Sequence, residues 1–370
     1  AGARDFAAPP EKSAPRRPRP PVALKKVGEF RPHPLLASEP QATAATRIRP
    51  RNDGIAGNLL GAGIQPRDEV DLIIGLDFGT STVKAVIRDR FRKQSFAVPF
   101  TDAIDNPYLL PSRVYQSGGE YSLDSGKQAR RDIKLLLLSC ESGSPVGEFN
   151  DACGFLALVL RHCRGWLLAD HAALYRGVRI NWSLNLGLPA ASYENLETVN
   201  LFRRLAWAAA NLAAQPGAEI TYENCEEFRR YSRETLPEYL RTQKSRSGFE
   251  FEFENVDVVP EVAAQIFGYV TSSKWDWRDR PMMMLVDIGA GTVDAAFFSY
   301  TNFDPRKRRF AFFANDVQPN GAMNLHRERV DWLRLAAAES QAQADVLDYL
   351  AAIKFPTDRT APLPESVREY

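Results

Sequence analysis

Two short segments of this 370-residue chain, Leu76-Asp77-Phe78-Gly79-Thr80-Ser81-Thr82 and Val286-Asp287-Ile288-Gly289-Ala290-Gly291-Thr292-Val293-Asp294, spell one theme twice. Each follows an apolar run of β type, sets Asp-x-Gly ahead of a threonine, and leads into a second apolar run. One Asp-x-Gly-x-x-Thr arises readily by chance, and a lone copy reads as an ordinary turn aspartate capping its own hairpin. Two copies constrain the chain far more. They call for two equivalent half-domains that grip one polyphosphate from opposite sides.

The surrounding pattern places both copies in a mixed α/β chain. Leu72–Leu76, Val83–Ile87 and Phe96–Phe100 read as three consecutive strands, with Gly79-Thr80-Ser81 as the tight turn between the first two. Helical spacing follows over Gly126–Leu138 and Asn150–Tyr175, then a strand Val178–Leu188 and a helix Tyr193–Ala214. Glu219–Arg246 is charged and poorly patterned and reads as a surface insertion. Phe249–Phe253 alternates with period two, and Val256–Val259 precedes a helix Glu261–Thr271. At Met282 the pattern restarts: strands Met283–Asp287, Val293–Tyr300 and Phe310–Asp316, then a helix Leu325–Ala337. The restart marks an internal duplication.

Residues 1–70 differ in texture, carrying eleven prolines and an excess of arginine and lysine. Such a segment buries too little apolar area to offset its conformational entropy, so it reads as a disordered Pro/Arg-rich lead-in. Phe30 and Leu35-Leu36 within it could form a docking motif for a partner. The expected division is therefore lead-in 1–70, a first lobe 71–280 and a second lobe 281–370. A first residue other than methionine, and an end soon after a helical stretch, lead us to expect a fragment whose second lobe is incomplete.

Composition narrows the function. The apolar share of 44% and charged share of 25% are those of a globular protein, and a net charge of +1 gives no general attraction to nucleic acid or to membrane surfaces. The runs at Ile133–Cys140 and Met282–Ile288 are far shorter than a membrane span, and the N-terminus has no secretory pattern. A cytoplasmic location is the expectation. Cys140, Cys153, Cys163 and Cys225 form no Cys-x-x-Cys pair and read as buried reduced thiols. His162, Cys163, His171 and Cys153 are not spaced to set three metal ligands on one helix face. Arg306-Lys307-Arg308-Arg309 after Pro305 reads as a solvated turn, and Gly61-Ala62-Gly63 lacks the third glycine and preceding strand of a dinucleotide fingerprint.

The paired motifs have a chemical purpose. Glycines 79, 289 and 291 let the backbone turn tightly and present N–H groups to phosphate oxygens. Hydroxyls of Thr80, Ser81 and Thr292 add hydrogen bonds, each contributing about 1.5–3 kcal/mol when the acceptor is charged. Asp77 and Asp287 would repel a triphosphate unless a cation lay between, and Mg²⁺, which keeps several waters while touching one or two carboxylates and phosphates, removes that conflict.

These two segments resemble the phosphate motifs of the actin-like ATPase superfamily, and within it the heat-shock protein 70 (DnaK-type) chaperones. Further stretches match in order: Pro111-Ser112-Arg113-Val114, Gly126-Lys127-Gln128-Ala129, Ile133-Lys134-Leu135-Leu136, Leu186-Gly187-Leu188-Pro189-Ala190 and Gly321-Ala322. The likeness spans about residues 72–337. It implies an α/β chain with a duplicated ribonuclease H-like fold in two lobes, the second truncated, that binds ATP or ADP with Mg²⁺ and hydrolyses ATP. Gly79, Thr80, Ser81, Thr82, Gly289, Ala290, Gly291, Thr292 and Gly321 are implied to line the nucleotide, and Asp77 and Asp287 to hold the metal through water. Catalysis is implied for Lys134, Asp287, Asp294 and Thr292, with Lys134 against the γ-phosphate and Asp294 orienting the metal or the attacking water. Partners implied are ATP and protein clients or co-factors.

The chain departs from the family's pattern in places. A Glu-Pro-x-Ala-Ala segment is replaced by Pro260-Glu261-Val262-Ala263-Ala264, which sets Pro260 at the acidic position and leaves Glu261 to serve by a small shift or water activation to weaken. Ala290 replaces a glycine and fits only with negative φ. The family's late Gly-Gly adenosine motif and its peptide-binding domain are absent from these residues. A nucleotide-sensing scaffold working through the proline-rich arm, an actin-like filament and a sugar kinase stay open as alternatives.

Overall fold

Alternation of buried and partly exposed residues along Asp68–Phe78 fixes the orientation of the first sheet. Leu72, Ile74, Leu76 and Phe78 point into the core, whereas Ile73, Gly75 and Asp77 lie on the opposite, half-covered face. The computed structural model describes residues 68–102, 106–139, 146–215, 219–231, 253–272, 282–301, 309–318, 320–339 and 344–352. All of them belong to one unit, Ala42–Tyr370. Among the described residues the fold is mixed α/β with three sheets.

β1 (Asp68–Phe78) pairs antiparallel with β2 (Thr82–Asp89), which pairs with β3 (Gln94–Ala97) and, at its start, with β4 (Leu110–Pro111). On its other edge β1 runs parallel to β8 (Val178–Leu188), and β8 runs parallel to β9 (Val256–Pro260), giving the order β3-β2-β1-β8-β9. β1 starts three residues before the expected boundary at 71, because Asp68–Val70 already pair with Val178–Ile180 and Val70 is buried.

A second small sheet holds β5 (Val114–Ser117), β6 (Glu120–Ser122) and β7 (Gln128–Arg130). It corrects the expected helix Gly126–Leu138. Gly126 lies flat on Tyr115, where a Cβ would come within 2.6 Å of the Tyr115 Cβ, and Gln128–Arg130 pair with β5. Helix α1 (Ile133–Ser139) starts only after Asp132, whose φ of +56° turns the chain.

One long helix, α2 (Val146–Asp170), is long and apolar enough to cross a membrane, which the short apolar runs did not suggest. Its most apolar window is 83% buried within the fold, against α5 (Leu196–Ala213) and α6 (Tyr222–Arg230). It is apolar on most sides because it is the core helix. Between these lie α3 (Ala172–Tyr175) and α4 (Ala190–Tyr193). Asn195 caps α5 by accepting from the N–H groups of Glu197 and Thr198. Helix α6 corrects the reading of Glu219–Arg246 as an unpatterned insertion: Thr221 caps it, and Cys225 and Phe228, three apart, are buried. Residues 232–246 and Phe249–Glu252 lie outside the described residues, as do 1–67 with their expected docking motif, Cys140 and Arg306-Lys307-Arg308.

His162 is a core residue. Its Nε2 lies 2.7 Å from the Pro99 carbonyl and its ring stacks on Phe100 at 4.9 Å, while Cys153, Cys163 and Cys225 are buried free thiols.

The third sheet orders β10 (Met282–Ile288), β11 (Val293–Thr301) and β12 (Arg309–Gln318), all antiparallel, followed by α8 (Ala322–Glu339) and α9 (Ala344–Ala352). Helix α7 (Glu261–Val270) directly follows β9 of the first sheet but packs Val262, Ile266 and Val270 against Ala296 and Phe298, with Met283 and Leu285 alongside. The other face of β10 exposes Met282, Met284, Val286 and Ile288.

Candidate functional site

Both Asp-x-Gly segments form hairpins of the same build. In the first, Phe78 faces Val83 and Asp77 faces Lys84; in the second, Ile288 faces Val293 and Asp287 faces Asp294. Four residues close each tip. A Cβ on Gly79 would stand 2.5 Å from the Thr82 carbonyl oxygen, which excludes a side chain there, whereas one on Gly289 would stand 3.1 Å from the Thr292 carbonyl oxygen, a tight contact at the same place.

Neighbouring segments pin each tip. Ser112 donates through Oγ to the Gly79 carbonyl at 2.6 Å and through its N–H to the Ser81 carbonyl at 2.8 Å. At the second tip the Ala322 N–H reaches the Gly289 carbonyl at 2.9 Å, the Met323 N–H reaches the Ala290 carbonyl at 2.8 Å, and Asn324 Nδ2 donates to the Gly291 carbonyl at 2.9 Å. Gly321 lies so close that a Cβ there would come within 2.4 Å of the Ala290 oxygen and the Gly291 carbonyl carbon. Ala290 meets its condition, since among the described non-glycine residues only Lys93 and Asp132 have positive φ.

The two tips meet. A Cβ on Gly291 would fall 2.9 Å from Thr80 Oγ1 and 3.1 Å from a Leu135 methyl, so Gly291 is the residue that lets the second tip approach the first. Thr82, by contrast, begins β2 and pairs with Pro111.

Beside the tips stands a cluster of charge. Lys134 is only 3% exposed, and its Nζ donates to Glu261 Oε1 at 2.5 Å. Glu261 opens α7 immediately after β9, and its Cγ lies across Gly187 of β8, where a Cβ would be 3.0 Å away. Glu261 therefore sets a carboxylate at the lysine, with Pro260 ending the strand. Asp287 accepts from Gln265 Nε2 at 2.5 Å, and Asp77 accepts from Lys84 Nζ at 2.8 Å.

Asp294 is buried, and its Oδ1 has no hydrogen-bond partner among the described residues. Burial first, then repulsion from Glu261 and Asp287, pushes its carboxyl up to about 6, against the opposing pull of Lys134 and a hydrogen bond from Thr292. Lys84 is raised chiefly by its hydrogen bond to Asp77, with Asp287 and Glu261 adding attraction. Thus Asp77, Glu261, Asp287 and Asp294 share one field with two lysines.

Sequence reasoning missed Lys84, Gln265 and the role of Gly187. Lys84 was findable: it follows Asp77 by the same seven residues that separate Asp294 from Asp287, so strand register puts it opposite. Gln265 and Gly187 carried no such signal, since each acts through a partner on another element. No family model matches the chain, and no curated protein resembles it closely enough in sequence to count as a relative.

Proposed function

We propose that this chain is an ATP-binding, Mg²⁺-dependent ATPase domain of the heat-shock protein 70 (DnaK) type, with a duplicated ribonuclease H-like fold, that couples nucleotide state to a partner or client. The observation carrying this reading is the meeting of two like-built Asp-x-Gly hairpins, Gly291 against Thr80, beside a buried lysine and four carboxylates. Support for the duplication comes from the sheets. An antiparallel β1-β2-β3 start, extended by parallel β8 and β9, is followed by a second antiparallel start in β10-β11-β12.

The residues fit a hydrated cation. Among the described residues no group of three or more His, Cys, Asp or Glu side chains is close enough to ligate a metal directly, whereas Asp77 and Asp287 offer hard oxygens and Asp294 holds a buried, unpartnered one. That donor set suits Mg²⁺ held through water. When bound, the ion would neutralise phosphate charge near these carboxylates. Around it, glycines 79, 289 and 291 let backbone N–H groups approach the phosphates, Thr80, Ser81 and Thr292 donate hydroxyl hydrogen bonds, and Lys134 stabilises charge on the transferred phosphoryl group. Glu261 holds Lys134 in place and accepts a proton from water.

The same contact favours a second reading, the catalytically weak nucleotide sensor. A lysine bound at 2.5 Å to a carboxylate must release it to reach a phosphate. Single-turnover ATP hydrolysis by the full protein separates the two. Hydrolysis that falls about 100-fold or more in Lys134→Ala and in Asp287→Asn, with ATP still bound, supports the ATPase. Binding without hydrolysis in every version favours the sensor, and no ATP binding in any version removes both.

A further inference from the structure

Lys84 carries a charge that the phosphate and water chemistry of the cluster does not use. Strand register sets it opposite Asp77, and its Nζ donates to Asp77 Oδ2 at 2.8 Å. Asp287 and Glu261 attract the same ammonium, so it stands inside the field of the carboxylates and not only beside its strand partner. That field stays short of positive charge. Two lysines face four carboxylates, and the buried Asp294 keeps an Oδ1 with no hydrogen-bond partner among the described residues.

We propose that Lys84 is a tethered counter-cation, which holds Asp77 until a divalent cation displaces it and so weakens cation binding by the free protein. The inference rests on the reading of Asp77 and Asp287 as the residues that hold a hydrated cation. The two lysines of the cluster are suited to different tasks. Lys134 is walled in, its side chain 4% exposed and tied to Glu261 at 2.5 Å. Lys84 and Asp77 expose 54% and 46% of their side chains, and an ion pair so open to water is weakly held. An ammonium is a compact, hydrated charge on a flexible four-carbon stem, so Lys84 swings into solvent without rearranging the fold. In place, it occupies an Asp77 oxygen that would otherwise accept from a water of the hydrated ion, and it repels an approaching dication. Its removal frees an acceptor and lifts a repulsion together.

The test titrates the full chain, free of nucleotide, with Mn²⁺, which shares the preference of Mg²⁺ for carboxylate and water oxygens and is counted in its free form by electron paramagnetic resonance. Lys84→Met should bind Mn²⁺ about 10-fold more tightly than the parent, the size of one unit charge acting on a dication across several ångströms of water. Lys84→Arg keeps the charge and should stay within about 2-fold of the parent. So should Arg88→Gln, which removes a charge four residues along β2, beyond the reach of screened surface charge. In an Asp77→Asn background Lys84→Met should have no effect, which ties the lysine to this carboxylate. Lys84→Gln is the second variant, so the test stands if Lys84→Met does not fold. Equal affinity in the parent and Lys84→Met, with binding lost in Asp287→Asn, leaves the cation site standing and overturns the inference alone. Tightening in Lys84→Arg as large as in Lys84→Met also overturns it, because charge is then not the cause. Absence of Mn²⁺ binding in the parent and in Lys84→Met overturns both the inference and the cation reading of the hairpins.

Discussion

The two hairpins share loop length and a first glycine, yet they differ in what faces the aspartate. In the first, Asp77 stands opposite Lys84 and the two are joined at 2.8 Å; in the second, Asp287 stands opposite Asp294, carboxylate against carboxylate. Like charges directly across a ladder destabilise it, whereas opposite charges support it. The first hairpin is thus balanced within itself and sits in a sheet whose buried face is continuous with the main core. The second depends on other elements, Gln265 on α7 and Lys134 on α1, and retains an unpartnered Asp294 oxygen. Balance makes the first a fixed platform. Imbalance leaves the second with carboxylate charge that its own two strands do not offset.

The largest expected effect tests the platform. Phe78 precedes the first glycine, is fully buried and packs on Phe155 with ring centroids 5.9 Å apart. Phe78→Ala should cost about 3–5 kcal/mol in urea unfolding. A loss below about 1 kcal/mol would remove the distinction between a buried and an unburied hairpin.

Next comes Asp294, whose raised carboxyl makes the folded protein bind a proton more tightly than the unfolded chain. The folded state therefore holds more protons between about pH 4 and about pH 6, and this group's contribution to stability falls as pH rises through that window. Asp294→Asn lacks the fall. It should match the parent near pH 4 and exceed it above pH 6, by roughly 2–3 kcal/mol. An equal difference at pH 4 and pH 8 would show that the opposed carboxylates are not what loads this hairpin.

A smaller effect is expected where α8 seats the second tip. Gly321→Ala drives a Cβ against backbone of Ala290 and Gly291, which cannot rotate away, and should cost about 1–3 kcal/mol. Gly289→Ala meets only the Thr292 oxygen at 3.1 Å and should cost less. Reversal of that order, read from urea midpoints, would mean that the seat on α8 is not what holds the tip.

Much of this was legible in the chain because it is local. Strand alternation exposed β1, β2, β8 and β10, and the repeated Asp-x-Gly spelling exposed the hairpins. What stayed hidden depends on distant partners. Gln128–Arg130 looked helical because its strand pairing with β5 leaves no mark in its own spacing. Helix α6 hid in a charged stretch because only Cys225 and Phe228 face inward. Glu261 gave no sign of its partner in the local sequence: its side chain, laid across Gly187, reaches Lys134, 127 positions away.

The smallest expected effect is the sharpest test of the comparison, because it uses the matching position. Ile288 precedes the second glycine as Phe78 precedes the first, but it is 69% exposed on the outer face of β10, with Met282, Met284 and Val286 exposed beside it. Loss of an exposed side chain removes little buried area, so Ile288→Ala should change stability by less than about 0.5 kcal/mol. Set against Phe78→Ala, it measures how far two like-built hairpins differ in cover alone. If Ile288→Ala costs more than about 2 kcal/mol, that face is covered in solution, and the contrast between the hairpins then rests on charge and not on burial.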